Sequence, residues 1–216
     1  MALTLPNGSQ IAIASTYGAS KTMSAITNAD PGVATLATGH SVIVNDILEV
    51  TSGWEDLEGR IVRASVVATD DITFEGIDTS STTIYPAGSG TGSVREITAW
   101  TNVTQILNTQ GSAGEQQYFE YQLLSARRQG RIPTVRGASS LELSLADDTS
   151  QSWYAVVKAA SDTNTPTAMR VTLPNGAKIY YNGYWSLSDV PEMTVNQAMT
   201  LACSFSLSGL MTRYAS

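Results

Sequence analysis

Apolar and polar residues alternate along much of the chain with a period of two, the pattern of strands that bury one face. The clearest case begins at Met199. Met199, Leu201, Cys203, Phe205 and Leu207 fall on one face, while Thr200, Ala202, Ser204, Ser206 and Ser208 fall on the other, which is small and uncharged. Leu141 to Leu145 repeats the alternation, and Gln10 to Ala14 and Met169 to Leu173 carry it less cleanly, so all four are expected to be strands of one sheet system. Between Leu173 and Ile179 lies Pro174-Asn175-Gly176, where asparagine and glycine accept the positive φ of a tight hairpin turn. Leu5-Pro6-Asn7-Gly8 has the same form ahead of Ile11, but the residues beyond the two turns differ, so no duplication is inferred.

One helix is expected from about 149 to 160, capped by Asp147, Asp148 or Thr149, with Trp153, Val156, Val157 and Ala160 on one face. The polar run ending at Pro166 stops it. Short strands are expected at Val42 to Val44, Ile47 to Val50, Arg60 to Val67, Ile72 to Ile77 and Val94 to Ile97, and a small closed or partly closed β-barrel is the economical packing for them.

Charge adds a boundary to this picture. Residues 41–98 hold ten acidic side chains against three arginines, which accounts for the whole net charge of -7; the rest of the chain holds nine of each sign. The expected organisation is therefore a body of 1–40 and 99–216 with an inserted acidic β unit of 41–98. A chain this acidic is a poor match to a protein that grips nucleic acid by neutralising phosphates. At 216 residues and 42% hydrophobic, it buries a core without a metal or disulfide, and its one cysteine, Cys203, forms no internal bridge. The amino end lacks the basic and apolar pattern of a secretion signal, and no apolar run reaches the ~20 residues of a membrane helix, so a soluble, unprocessed protein is expected.

The residues that could carry chemistry read as structural. His40, the lone histidine, is expected on a solvated turn, and Cys203 as a small buried hydrophobe. Gly88-Ser89-Gly90-Thr91-Gly92 is followed by strand-like residues rather than a helix, so it reads as a flexible hairpin tip and not a phosphate cradle. Asp70-Asp71 and Asp147-Asp148 suit a turn and a helix start. No catalytic residue, metal or cofactor is assigned. Trp54, Phe74 and Tyr85 in the acidic unit are either core or an exposed aromatic binding cluster.

Arg127, Arg128, Arg131 and Arg136 are four of the nine arginines within ten positions. A solvated loop, a nucleic-acid contact and a contact with an acidic protein all fit; the absence of aromatics between Arg127 and Arg136 favours the protein over base stacking. Tyr118, Phe119 and Tyr121 precede the cluster in a segment, Gly111 to Gly137, that is too long for an ordinary connection and too aromatic for disorder. These seven residues are expected to form a subunit or ring interface.

In the carboxyl half, the strand Leu141 to Leu145, the helix through Trp153, the strand Met169 to Leu173 ending in Pro174-Asn175-Gly176, the Gly183-Tyr184-Trp185-Ser186 stretch and a final strand, Val195 to Leu207, succeed one another in an order that resembles the major tail tube proteins of lambda-like siphophages. The resemblance implies a mainly β fold, a tail-tube-type sandwich or barrel with one flanking helix. It further implies hexameric rings stacked into the tube of the virion tail, assembled in the host bacterial cytoplasm with tape measure, baseplate and terminator proteins. DNA would pass through without sequence-specific binding, and the acidic unit would decorate the outside. Edge strands of identical subunits, paired around a ring, suit that role. Tail terminators and baseplate tube proteins share the fold and form a single ring. From a different class, the acidic unit could be a module for a host-surface ligand, with the remaining chain as its anchor.

Overall fold

The computed structural model describes residues 7–215. The chain runs along β1 (Gln10–Tyr17), turns at Gly18, and continues through β2 (Lys21–Ile26), β3 (Val33–Leu36), β4 (Ile47–Ser52), β5 (Ile61–Ala68) and β6 (Asp71–Phe74) into the long β7 (Gly92–Val103). Next come β8 (Ile106–Ser112), β9 (Gln116–Tyr121), β10 (Gly130–Arg136), β11 (Ser140–Ala146), the helix α1 (Ser152–Thr163), β12 (Thr167–Thr172), β13 (Lys178–Leu187), β14 (Thr200–Leu207) and β15 (Thr212–Tyr214). The fold is mainly β with one helix among the described residues.

The first strands close on themselves. Their order is β2-β3-β6-β5-β4-β7, and β2 pairs again with β7, so every strand of this barrel has two neighbours. The period of two sends Leu48 and Val50, Val62 and Ala64, and Ile72 and Phe74 inward, where they meet Met23, Leu36 and Trp54. Trp54 is 1% exposed; its indole N–H donates to the Pro86 carbonyl at 2.8 Å, and Tyr85 meets its ring edge-on. The glycine-rich stretch after it is not a free tip. Gly90 is buried against that indole, so close that a Cβ would stand 2.7 Å from a ring carbon.

Three expectations for this region are corrected. The boundary expected near residue 40 lies within the barrel's own core, because β2 and β3 contribute Met23, Ala34 and Leu36 to it. Lys21–Leu36 holds a single acid, Asp30, and a charge count has no purchase there. Val42 to Val44 is a loop, not a strand: the Asp46 carboxylate accepts the Ile43 N–H at 2.8 Å and leaves Ile43 and Val44 exposed. His40 is buried, not solvated. Its Nδ1 accepts the Val42 N–H at 3.0 Å, and Nε2, which must then carry the proton, lies 3.0 Å from the Thr69 carbonyl.

β7 leaves the barrel and enters a second, open sheet of order β7-β1-β12-β13-β14-β11-β8. The helix packs Trp153, Val157 and Ala160 onto its apolar side with Ile13, Leu145, Trp185 and Phe205. It starts later than the 149 expected, because the Asp148 carboxylate holds the Ser150 N–H at 3.1 Å and the Ser150 hydroxyl at 2.6 Å in a turn ahead of it. The Gln151 at its N-cap makes no side-chain cap bond; Asn164, left-handed at φ 49°, ends it.

Barrel and body meet across a polar seam. The nearly buried Glu49 of β4 accepts hydrogen bonds from Arg95 of β7 and, at 3.0 Å, from Asn182 of β13. The Arg95 guanidinium lies 4.0 Å from the Tyr17 ring centroid. On the far side, β15 pairs with β13 and reaches back: the Tyr214 hydroxyl accepts the Arg63 N–H at 2.8 Å, and Thr212 Oγ1 accepts Arg60 Nε–H at 3.2 Å.

Candidate functional site

β13 serves two partners in turn. Residues 178–183 pair with β12, whereas residues 183–187 pair with β14, and the change falls at Gly183, whose Cβ would meet the Ser206 carbonyl oxygen at 2.1 Å. Beyond Gly183, β13, β14, β11 and β8 form a four-stranded wall. In register across it stand Tyr184, Ser206, Ser140 and Ser112, then Ser186, Ser204, Glu142 and Gln110. Asn108, Ser144 and Ala202 continue that face. Its opposite side, with Leu143, Leu145, Leu201, Cys203, Phe205 and Trp185, is core under the helix. The alternation read at 200–207 thus separates a core face from a polar face on which Glu142 is the one charged strand residue and no cation stands. Both borders of the wall lack a strand partner among the described residues: β8 on its outer side, and Tyr184–Leu187 on the side that faced β12, where the Leu187 N–H donates to the Ser161 hydroxyl of the helix at 3.2 Å. Neither border strand segment carries a charge or a proline, the devices that usually blunt a sheet edge.

From one end of this wall, between β8 and β11, the chain runs out into β9 and β10, which pair only with each other. The segment expected to be an interface is therefore a two-stranded hairpin. Tyr118, Glu120, Arg131 and Pro133 share one face, on which Arg131 pairs with Glu120 at 2.7 Å. Phe119, Tyr121 and Ile132 share the other, and it is apolar. Arg127 and Arg128 lie in the exposed turn, and Arg136 stands at the base opposite Gln116. Of the seven residues singled out, the aromatics divide between two faces, and Arg131 finds its acid within the hairpin. Four further residues belong to this surface: Leu123, Leu124, Ile132 and Val135 keep half or more of their area in water. No periodicity marks them, since both faces of the hairpin are uncovered.

At the other end of the wall, the loop between β13 and β14 exposes Val190, Met193, Val195 and Met199. The strand expected from Val195 begins only at Thr200: the Gln197 N–H closes a turn on the Thr194 carbonyl at 3.1 Å, and Met199, expected on the core face, is 45% exposed. Glu192 is bridged to Thr200, and the Asp147 N–H donates to the Met199 carbonyl at 3.0 Å, which brings the loop and the start of the helix together. Hydrogen bonds from the Ser150 hydroxyl, the Gln151 amide, the Ser150 N–H and the Gln105 amide hold the Asp148 carboxyl down at about 2.

The groups with chemical potential elsewhere are in structural use. Burial pushes the Cys203 thiol up to about 12, so it is no nucleophile near neutral pH. Burial likewise raises Tyr17 and Tyr214, at the seam, to about 12, and the Arg63 hydrogen bond lowers Glu75. Trp54, Phe74 and Tyr85 are all core. Among the described residues no group of three or more histidine, cysteine or acidic side chains could hold a metal, and no helix is long and apolar enough to cross a membrane.

No curated protein matches the chain. Among solved structures it is similar to the tube-terminating cap of an anti-feeding prophage, seen by cryo-electron microscopy, with 11% identity over 51% of this chain and 80% of that one; at a TM-score of 0.38 the likeness carries no weight. The family model described as phage tail tube protein, TTP, matches residues 52–216, which takes in the wall, the hairpin and the barrel strands β5, β6 and β7. The chain belongs to the phage tail tube protein family.

Proposed function

We propose that this protein polymerises as hexameric rings stacked into the tube of a long-tailed phage, and that the tube is the conduit through which DNA leaves the particle. The observation that carries the reading is the four-stranded wall, with a core face, a cation-free polar face and two uncharged borders. Pairing β8 of one copy with Tyr184–Ser186 of the next, with the Leu187 N–H left on the Ser161 hydroxyl, serves both borders and makes the contact heterologous, the kind that closes into a ring when the rotation per copy divides a full turn. The polar face then lines the channel. With the Glu142 carboxylate on its strands, Glu192 of the adjoining loop beside it and no lysine or arginine, it gives DNA phosphates no counter-charge to bind, as a conduit requires.

The hairpin of β9 and β10 serves as a contact between rings, with Phe119 and Ile132 covered by the neighbour and Arg127 and Arg128 directed at its acids. Arg131 and Tyr118 stiffen the hairpin, and Tyr121 and Arg136 flank the contact. The barrel, which carries the acidic excess, stands on the outside. Tape measure, baseplate and terminator proteins are the other partners, and assembly takes place in the host cytoplasm.

Electron microscopy of the purified chain across a concentration series, with light scattering in parallel, tests the reading. Hollow tubes that lengthen with concentration or on a nucleating baseplate are expected. Single rings that never stack under either condition would replace the tube with a terminator or baseplate role.

A further inference from the structure

The two ends of the wall are opposite in charge, and both leave large apolar side chains uncovered. β11 runs from Ser140, which pairs with Ser112 and Ser206 beside the hairpin base, to Ala146, which pairs with Thr200 beside the Glu192 loop. These ends are therefore about 20 Å apart at roughly 3.3 Å per residue, and a copy's hairpin base is remote from its own loop. The hairpin turn, residues 122–129, contains Arg127 and Arg128 and no acid, and it exposes Leu123 by 60% and Leu124 fully. The far end contains Asp147, Asp148, Asp189 and Glu192; Lys158 is engaged with Asp189 at 2.9 Å. Its loop exposes Met193 by 72% and Val195 by 86%.

We propose that the hairpin turn of one copy docks on the Ser188–Met199 loop of a second copy in the adjoining ring, with Leu123 and Leu124 covering Met193 and Val195 while Arg127 and Arg128 face Asp147 and Glu192. The proposal rests on the tube reading above and names the surface that receives the hairpin. Each copy carries one basic apolar projection and one acidic apolar landing, at opposite ends of the same strand. That arrangement repeats along an axis without closing, the symmetry of a stack. A nucleic acid fits less well, because the turn offers no aromatic platform and the landing repels phosphate.

The test is a chain carrying both Leu124→Cys and Val195→Cys, polymerised and then oxidised; the natural Cys203 is buried and stays silent. Docking predicts a ladder of disulfide-linked species longer than one ring can hold. Tubes visible by microscopy whose introduced cysteines remain reduced would overturn the docking and leave the tube reading standing. Failure of the natural chain to form tubes, alone or nucleated, would count against the tube itself. Should the cysteine chain not polymerise, a charge exchange decides: Arg127→Glu with Arg128→Glu should abolish elongation, and adding Asp147→Lys with Glu192→Lys should restore it at least tenfold. A fourfold variant as defective as the twofold one would overturn the proposal.

Discussion

In the barrel, each strand has neighbours on both sides, and Trp54, Ile72 and Phe74 are exposed by 1% or less. In the hairpin, each strand has one neighbour, and Phe119, Ile132 and Val135 keep from 50% to 69% of their area in water. Both are antiparallel β-structure, but only the barrel finishes its hydrogen bonding and burial within the chain. A two-stranded hairpin is marginal on its own. On the proposed reading, folding of the monomer and growth of the assembly depend on different residues, and substitutions should separate them.

The largest effect is expected at Trp54. Trp54→Ala leaves a cavity in the closed barrel and should cost about 3–5 kcal/mol in chemical denaturation, whatever the state of assembly. Arg95→Ala strips the nearly buried Glu49 of its cation and should cost on the order of 2 kcal/mol, below the usual range for a broken buried pair because Arg95 keeps 36% of its side chain in water. Alkali should act on the same seam. Burial holds Tyr17 and Tyr214 at about 12, above the ordinary tyrosine value, so their contribution is complete below pH ~10 and is lost as the pH rises through about 12. Absorbance titration should show these two phenols ionising together with the loss of barrel-to-body contacts in hydrogen exchange. The smallest effect on the monomer is expected in the hairpin: Phe119→Ala with Ile132→Ser should change its stability by no more than about 0.5 kcal/mol. The same pair should prevent tube elongation in light scattering. A large loss of monomer stability from it would erase the distinction.

Legibility in the sequence tracks that contrast. The segments at 141–145 and 200–207 alternate because one side faces a core and the other is open, whereas 10–14 and 169–172 alternate less cleanly because β1 buries residues 11–14 on both faces and β12 has no exposed residue; each is a strand of the body. Pro174-Asn175-Gly176 does turn the chain between β12 and β13. Ile43 and Val44 have strand-forming side chains, but the Asp46 carboxylate holds Ile43 in a turn, a local bond that propensity does not weigh. Met23 and Leu36 are hidden by a different cause: the barrel core draws on strands free of acidic residues that precede the acidic stretch in the chain. In the hairpin, Tyr118, Phe119 and the arginines stand out by composition, whereas Ile132 and Val135 do not, since a strand with no buried face has no alternation to read.

β7 crosses from barrel to body without a break, pairing with β4 through residues 92–96 and with β1 through residues 97–103. In mechanical terms it is a tie rod. A load that drags the barrel along this strand's axis meets β1 in shear, where the ladder bonds share the force and must yield together. The remaining tether, residues 18–20, joins beside the same strand, because the Gly18 N–H donates to the Glu96 carbonyl at 2.8 Å. A barrel anchored in this way resists being pulled from the body, and it does so without a covalent cross-link.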